Sequence, residues 1–216
     1  MYNARPGLLI GFHGCEKSRQ QELLLNPASM PVSAEPFDWL GHGMYFWENN
    51  ADRAMEWAID KQKKGKIKEA AIIGAVIDLG HCCDLLDSLF IKMVIAYYTL
   101  MAYELKAVNK ALPINKNLKS DPHGDQLLRE LDCATIEFMH NEIRRLYNED
   151  IAAKGHSDHK FFDSIRGMFP EGGAAYEGSG FKAKSHIQIC IRNPNCIKGF
   201  FQKREELDFI LQEKGK

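Results

Sequence analysis

The sequence predicts an α+β domain in which strand-forming segments near both ends of the chain enclose a block of long helices. Two observations predict it: short β-branched or alternating apolar runs before residue 80 and after residue 160, and apolar residues spaced three to four apart between them. The chain has 216 residues, which suffices for one domain with its own core. We expect a single domain over residues 1–216, with a helical insertion at about 84–155.

Composition indicates the broad class of protein. The formal net charge is −1, so no overall field favours nucleic acid or a membrane surface. The six cysteines form no CxxC pair and no zinc-type spacing. The most apolar segment, residues 89–103, is interrupted by Lys92 and is shorter than the roughly 20 residues of a spanning helix. We expect a cytoplasmic protein with reduced thiols, no bound metal and no membrane contact.

The N-terminal segment is predicted to form a buried strand. Residues 7–12 are apolar and lie between Pro6 and Gly14, so we expect the strand to give way to a loop at His13. A short helix over residues 18–25 follows. The prolines after it disfavour further helix.

A glycine-flanked aromatic segment comes next. Gly41 and Gly43 permit a left-handed or closely packed backbone, and a short strand carrying Tyr45 follows them. Asn50 or Asp52 can then cap a helix. Taken alone, this segment is typical of an ordinary loop, strand and helix with its aromatic side chains in the core.

The middle of the chain changes from strand to helix. Residues 70–79 are β-branched and apolar at nearly every position, as in a strand covered on both faces. An apolar stripe at i+4 spacing from Leu89 to Leu105 predicts a well-buried helix. A second long helix is predicted over residues 125–150.

The C-terminal third returns to strands. We predict strands over residues 161–167, 185–191 and 196–201, the second half-buried because its residues alternate between polar and apolar. A glycine-rich loop over residues 171–180 separates the first two strands. A closing helix is expected over residues 205–213.

Three of these pieces, in this order, resemble the signature of the ADP-ribosyltransferase superfamily in its diphtheria-toxin-like and poly(ADP-ribose) polymerase-like branch. His13-Gly14 resembles the first motif, and Gly41-x-Gly43-Met44-Tyr45-Phe46 with the following helix resembles the second. The third motif of that branch is a glutamate on a late strand, and Gln188 stands in its place here. The segments over residues 37–41 and 185–189 also resemble uncharacterised bacterial members.

The resemblance covers roughly residues 7–80 and 160–202. It implies a split, mixed or antiparallel β-sheet of the ADP-ribosyltransferase type, interrupted by the helical insertion. It also implies that NAD is a substrate: nicotinamide leaves the ribose carbon through an oxocarbenium-like state, and a nucleophile of the acceptor replaces it.

The resemblance further implies roles for individual residues. His13 would bond a ribose hydroxyl of the adenosine part, and the Gly14 backbone would hold the nicotinamide carboxamide. Tyr45 would lie against the nicotinamide ring, and Trp57 could complete a stacked pair, while Gly43 would allow close approach of the backbone. For His13 alone, a structural hydrogen bond at a strand end is the ordinary interpretation.

Gln188 departs from the family pattern. A glutamine gives and accepts hydrogen bonds but cannot take a proton or add negative charge. We therefore expect single transfer rather than chain elongation, with the carboxylate supplied by Glu171 or Glu177. His186 lies on the same strand face as Gln188 and is another candidate base. The alternative for both glutamates is solvated loop charge.

Arg166 and Asp163 are polar residues within an otherwise apolar strand. The sequence leaves two interpretations open. These residues form a structural ion pair, or they form a clamp on the NAD phosphates in which Arg166 binds the cofactor.

Basic segments suggest the class of acceptor. Lys61–Lys68, Arg144-Arg145, Lys182 and Lys184 could contact nucleic acid. The leading hypothesis is a mono-ADP-ribosyltransferase acting on a macromolecule, nucleic acid or protein, as a toxin or phage-defence effector that an antitoxin or other inhibitor protein restrains. The alternatives are a catalytically inactive NAD- or ADP-ribose-binding module, a partner-binding domain whose helices bind another protein, and a relative of the NAD-dependent tRNA phosphotransferases.

Overall fold

A computed structural model describes residues 7–204 of the chain. Over this range the chain forms a seven-stranded mixed sheet, a two-stranded hairpin and four α-helices. The elements are β1 (Leu9–Glu16), α1 (Lys17–Leu25), β2 (Met44–Glu48), α2 (Ala51–Lys63), β3 (Ala70–Ile77), β4 (Cys82–Asp84), α3 (Ser88–Ala107), β5 (Asn115–Lys116), β6 (Leu128–Arg129), α4 (Glu130–Lys154), β7 (Ser164–Phe169), β8 (His186–Ile191) and β9 (Ile197–Phe201).

The strand order of the large sheet is β4-β7-β8-β2-β1-β3-β9. Strands β4 and β7 are parallel, and every other neighbouring pair is antiparallel. The predicted α+β class with a mixed sheet is confirmed. The order also brings β1, β2 and β8 side by side, although the first and last of these are far apart in sequence.

Both faces of the sheet are covered. One face buries Phe46, Ile73 and Ile189 with Leu23 of α1. The other face is divided: α2 packs on the β1 side, and α4, backed by α3, packs on the β7–β8 side. The apolar residues that share this second face are Phe12, Leu40, Trp47, Ala54, Ile72, Ile136, Met139, Ile143, Ile165 and Cys190.

Local sequence signals account for several boundaries. The Asn50 side chain accepts a hydrogen bond from the Arg53 amide, so Asn50 is the N-cap of α2. Gly155 ends α4 in the left-handed conformation, with φ of 75°. Helix α4 begins at Glu130, later than predicted, because the two residues before it pair with β5. The six cysteines are free.

Three predictions of the sequence are wrong. Strand β8 is not half-buried, since five of its six residues are buried. His13 and Gly14 do not follow the first strand but lie within β1, because pairing with β3 continues to Glu16. Helix α3 is not well buried: Met101 is its single buried residue, since the helix packs along one side only. By length and composition alone, α3 is apolar enough to cross a membrane. The closing helix predicted over residues 205–213 lies outside the described residues.

Candidate functional site

The large sheet opens at one place, between β1 and β2. These strands pair at two positions, the second of which is Phe12 with Trp47. Beyond that pair, β1 stays bonded to β3 and β2 stays bonded to β8. We call the opening between residues 13–16 of β1 and residues 44–46 of β2 the β1–β2 gap.

The His13 side chain bridges the β1–β2 gap. Its Nδ1 donates to the Tyr45 carbonyl oxygen over 2.8 Å, which leaves Nε2 as a hydrogen-bond acceptor. Burial lowers the pKa of His13 to about 4, so the ring is neutral near pH 7. The ring centroid lies 6.0 Å from that of Phe46 and 6.4 Å from that of Trp57. His13 can therefore accept a hydrogen bond from a hydroxyl group.

The backbone of Gly14 faces the same gap. In an antiparallel ladder, alternate residues direct both N–H and C=O to one side. The Ile10 carbonyl accepts from the Asn49 amide of the β2 side, so Gly14, four residues on, also points towards β2. There the ladder has ended, and both polar groups of Gly14 are directed into the gap.

A packing constraint also explains the glycine at position 14. A Cβ atom there would collide with the Ala54 carbonyl oxygen of α2 and press on the Trp57 ring. Gly43 is constrained in the same way, since a Cβ would collide with the Cys190 sulfur and the Ile191 carbonyl. These two glycines therefore allow close packing within the protein. The sequence pattern alone does not distinguish this role from close approach of a ligand.

Tyr45 is held by the loop that precedes β2. Its hydroxyl donates to the Gly41 carbonyl over 2.7 Å and accepts from the Leu40 amide over 3.0 Å. Burial raises the pKa of Tyr45 well above its ordinary value. Glu137 of α4 fixes the same loop by accepting from the His42 amide over 2.8 Å. The Tyr45 ring is therefore neutral, fixed in orientation and half-buried.

Gln188 lies on the neighbouring strand β8, opposite Trp47 of β2. Its side-chain oxygen accepts from the indole N–H of Trp39 over 2.6 Å. Because that oxygen is engaged, the amide NH₂ is the group with which Gln188 can meet a ligand. Sequence reasoning missed Trp39, which lies in an irregular, proline-flanked segment without periodicity.

Trp57 lies beside Trp47, not beside Tyr45. The two indole centroids are 5.5 Å apart, and within residues 7–204 no ring contact joins Tyr45 and Trp57. Lys61 places its Nζ 3.7 Å from the centroid of the Trp57 ring. The expected pair of Tyr45 and Trp57 is therefore not in direct contact, and His13 and Trp47 are the aromatic neighbours of Trp57.

Glu171 is a half-buried ion-pair partner rather than a solvated charge. Arg53 of α2 donates from Nη2 to both carboxylate oxygens, over 2.7 and 2.6 Å. The side-chain exposures are 11% for Arg53 and 16% for Glu171. Glu177 is exposed in the same loop. Of the two candidate glutamates, Glu171 is the one that the fold holds against the sheet.

His186 lies close to Glu171 and on the same strand as Gln188. Its Nδ1 donates to the Lys184 carbonyl over 2.8 Å and is 3.9 Å from a Glu171 oxygen. Its ring stacks on Phe169 with centroids 5.6 Å apart, and Phe169 in turn contacts Trp39. Burial lowers the pKa of His186. The predicted shared face of His186 and Gln188 is confirmed.

Arg166 is part of a structural ion-pair network. It donates from Nη2 to Glu48 over 2.8 Å and from Nη1 to Asp84 over 3.3 Å. Arg166 pairs with Ile189, whereas its neighbour Gly167 pairs with Gln188, so strand alternation directs Arg166 to the opposite face. The structure supports the ion-pair interpretation, with Glu48 and Asp84 as the partners. The interpretation of Arg166 as a cofactor clamp stays an untested prediction.

The sequence-predicted residues thus fall into three places. His13, Gly14 and Trp57 lie at the β1–β2 gap, and the Tyr45 backbone joins them. Gln188, His186 and Glu171 lie on the β8 side, on the face that α2 and Trp57 cover, about 10 Å from β1 by the usual strand spacing. Strand alternation places the His13 side chain on the α1 face, with Ile73 and Phe46. Arg166 and Glu177 belong to neither group.

Two cavities on the described surface are lined by residues other than His13, Tyr45 and Gln188. One of about 330 Å³ is lined by Glu48, Asn49, Met168, Ser185, His186 and Ile187. One of about 610 Å³ lies by α2 and β3. The described part of the chain contains no group of three or more His, Cys, Asp or Glu residues arranged to hold a metal ion.

Comparisons with protein-family models, with curated protein sequences and with solved structures gave no match.

Proposed function

We propose that the protein is an NAD-dependent mono-ADP-ribosyltransferase that cleaves NAD and transfers ADP-ribose to a macromolecular acceptor. The observation that carries the proposal is the β1–β2 gap. There Nε2 of neutral His13, the backbone N–H and C=O of Gly14 and the backbone of Tyr45 come together. The Tyr45 ring, fixed through its hydroxyl, packs on the face that α4 covers. These groups suit a dinucleotide that carries ribose hydroxyls, a carboxamide and a flat ring.

Each group has a role in holding NAD. Nε2 of His13 accepts from a ribose hydroxyl. The N–H and C=O of Gly14 pair with the complementary C=O and NH₂ of the nicotinamide carboxamide. The half-buried ring of Tyr45 and the indole of Trp57 are the flat surfaces near the gap against which the nicotinamide ring packs. Orientation of this kind supports bond cleavage because it fixes the ribose relative to the leaving group.

Charge stabilisation is the second requirement. The transition state carries positive charge on the ribose, and Gln188 supplies only a neutral dipole. Glu171 supplies a carboxylate near His186 on the same strand side, although Arg53 balances its charge. We expect slow, single transfer, with Gln188 positioning a ribose hydroxyl rather than activating a nucleophile.

The loop between β7 and β8 presents the features of an acceptor surface. Its backbone folds back on itself through the Ala174–Lys182 bridge. Tyr176 and Phe181 are 64% and 73% exposed, and Lys182 is exposed beside them. Exposed aromatic rings next to lysines suit single-stranded nucleic acid, whose bases stack while its phosphates are neutralised. We therefore propose nucleic acid as the acceptor.

The test uses NAD labelled in the adenylate phosphate, incubated with the protein and with purified RNA, DNA or total protein. We expect nicotinamide release together with label on the nucleic acid. The matched variants are Tyr45→Phe, which removes only the hydroxyl, and His13→Ala. Absence of both NAD consumption and NAD binding would exclude the proposal.

A second candidate function is an NAD- or ADP-ribose-binding module without catalysis. The engaged oxygen of Gln188 and the ion-paired state of Glu171 favour it, since neither leaves an uncompensated carboxylate at the site. Calorimetry distinguishes the two candidates: this one predicts NAD binding without release of nicotinamide.

A further inference from the structure

The ligand proposed above carries negative charge on its diphosphate, and the groups placed so far at the β1–β2 gap do not balance it. His13 is neutral because burial lowers its pKa to about 4. Tyr45 is neutral because burial raises its pKa, and Gly14 contributes only backbone groups. A dinucleotide at the gap therefore needs a cation from elsewhere in the fold.

Two arginines near this part of the sheet are already engaged by carboxylates. Arg53 donates to both oxygens of Glu171 over 2.7 and 2.6 Å. Arg166 binds Glu48 and Asp84. Removing a cation from such a pair leaves a carboxylate without its partner, which is costly when the pair is shielded from water. Neither arginine can bind a phosphate without the loss of an ion pair.

Lys61 of α2 is a cation near the gap that has no such partner. It lies one turn after Trp57, and its Nζ is 3.7 Å from the centroid of the Trp57 ring. The centroid of the His13 ring lies 6.4 Å from that of Trp57. Within residues 7–204, Lys61 forms no ion pair with a carboxylate. An aromatic face alone holds its ammonium group, and a phosphate can replace that contact.

The environment of Lys61 favours an anionic ligand. Lys61 is half-buried, and burial lowers its pKa because the ammonium group has lost part of its hydration. Lys66 adds to this effect, whereas Glu35 opposes it. A partly dehydrated cation gains more from a nearby anion than a fully hydrated one, because water screens the attraction less.

We propose that Lys61 binds the diphosphate of the dinucleotide at the β1–β2 gap. This inference rests on the proposed function and adds a charged contact to the neutral ones described above. Lysine is a point charge on a flexible stem, so Nζ can leave the Trp57 ring and contact a phosphate oxygen. The movement also uncovers a face of the indole for the ligand. Lys61 is thereby assigned to NAD, whereas its basic segment suggested contact with nucleic acid.

Calorimetry with ADP-ribose and NAD tests the proposal. Lys61→Met keeps a long, flexible side chain against Trp57 and removes the charge. We expect it to weaken binding of both ligands about tenfold, because a charge-assisted contact is lost. Lys61→Arg should retain most of the affinity. Lys92→Met is the matched control, because Lys92 is exposed on the distant helix α3, and it should bind as the wild type does.

Two further measurements separate a ligand contact from a structural role. The KM for NAD in nicotinamide release should rise in Lys61→Met while kcat stays nearly unchanged, as expected when binding to the ground state and to the transition state is lost equally. The affinity of this variant for ADP-ribose should also depend less on salt concentration than that of the wild type. The melting temperature should not change.

Three results overturn the proposal. The first is equal affinity of the wild type and Lys61→Met for ADP-ribose, which leaves the proposed function intact. The second is a loss of RNA binding in Lys61→Met at unchanged affinity for ADP-ribose, which would assign Lys61 to the acceptor. The third is a wild-type chain that binds neither ADP-ribose nor NAD, which excludes the proposed function as well.

Discussion

The indole N–H of Trp39 donates to the side-chain oxygen of Gln188 over 2.6 Å, joining residues 149 positions apart. This bond fixes the orientation of the Gln188 amide, because an indole can only donate. The NH₂ group then faces whatever occupies the site. Trp39 thereby positions the amide of Gln188.

Trp39→Phe removes the donor while keeping an aromatic ring against Phe169, whose centroid is 5.2 Å away. We expect NAD cleavage to fall about tenfold, since the amide can rotate and its orientation is lost. The melting temperature should change little. Trp39→Ala serves as the comparison, and an equal loss of activity and stability in both variants would show that Trp39 only packs.

Gln188→Glu should increase the rate of NAD cleavage. The indole of Trp39 can donate equally to a carboxylate, so the fold accommodates the change, and negative charge next to the ribose stabilises the positive transition state. We expect a gain on the order of tenfold in nicotinamide release, measured by chromatography. Gln188→Ala is the control and should lower the rate below that of the wild type. No gain from the glutamate would mean that Gln188 does not face the reacting ribose.

Arg53→Met should destabilise the protein more than Glu171→Gln. The first change leaves the Glu171 carboxylate without its half-buried partner, whereas the second keeps a hydrogen-bonding amide of the same shape. Breaking this pair from one side costs roughly 2 kcal/mol, between the values for surface pairs and for buried pairs. Urea denaturation measures the difference, and Arg145→Met, in a surface pair on α4, should cost at most about 1 kcal/mol. Equal effects of all three changes would contradict the prediction.

Arg166→Met should lower stability without changing NAD affinity. The change removes the cation that both Glu48 and Asp84 bind. We expect an earlier denaturation midpoint and an unchanged dissociation constant for NAD in the folded protein. A selective loss of NAD binding at unchanged stability would support the phosphate-clamp interpretation.

Stability should fall as the pH is lowered from about 6.5 to about 4. Burial lowers the pKa of His13 to about 4 and that of His140 to about 3. The unfolded chain therefore binds protons in this window before the folded chain does, so stability rises with pH there. Urea denaturation at several pH values measures the slope. His140→Leu should reduce this slope of stability against pH, because the variant removes one of the two titrating groups. The Nε2 of His140 is buried without a hydrogen-bond partner in the described structure.

The sequence predicted the type and order of most elements because apolar periodicity determines them locally. Strands β3 and β8 and helix α2 followed from runs of six to thirteen residues. It could not predict the side-chain pairs of the site. Arg53 and Glu171 are 118 positions apart, and no spacing rule connects them. Whether Glu171 is solvated or ion-paired depends on where α2 lies against the β7–β8 loop.

Helix α3 illustrates a different limit. Its periodicity predicted an apolar stripe, and the inner part of that stripe packs against α4 as expected. The same signal could not show whether a second surface of the chain covers the outer side. A stripe that widens around a helix is compatible with deep burial in one chain and with contact between two chains.

The close contact of Gly14 with α2 determines how the backbone of this residue can be studied. Any side chain at position 14 would push against the Ala54 carbonyl, so a loss of activity in Gly14→Ala would report a displaced helix and not a lost contact with NAD. A semisynthetic protein in which an ester oxygen replaces the Gly14 amide nitrogen keeps the shape and deletes only the donor. Backbone chemistry, rather than mutagenesis, can isolate the contribution of this residue.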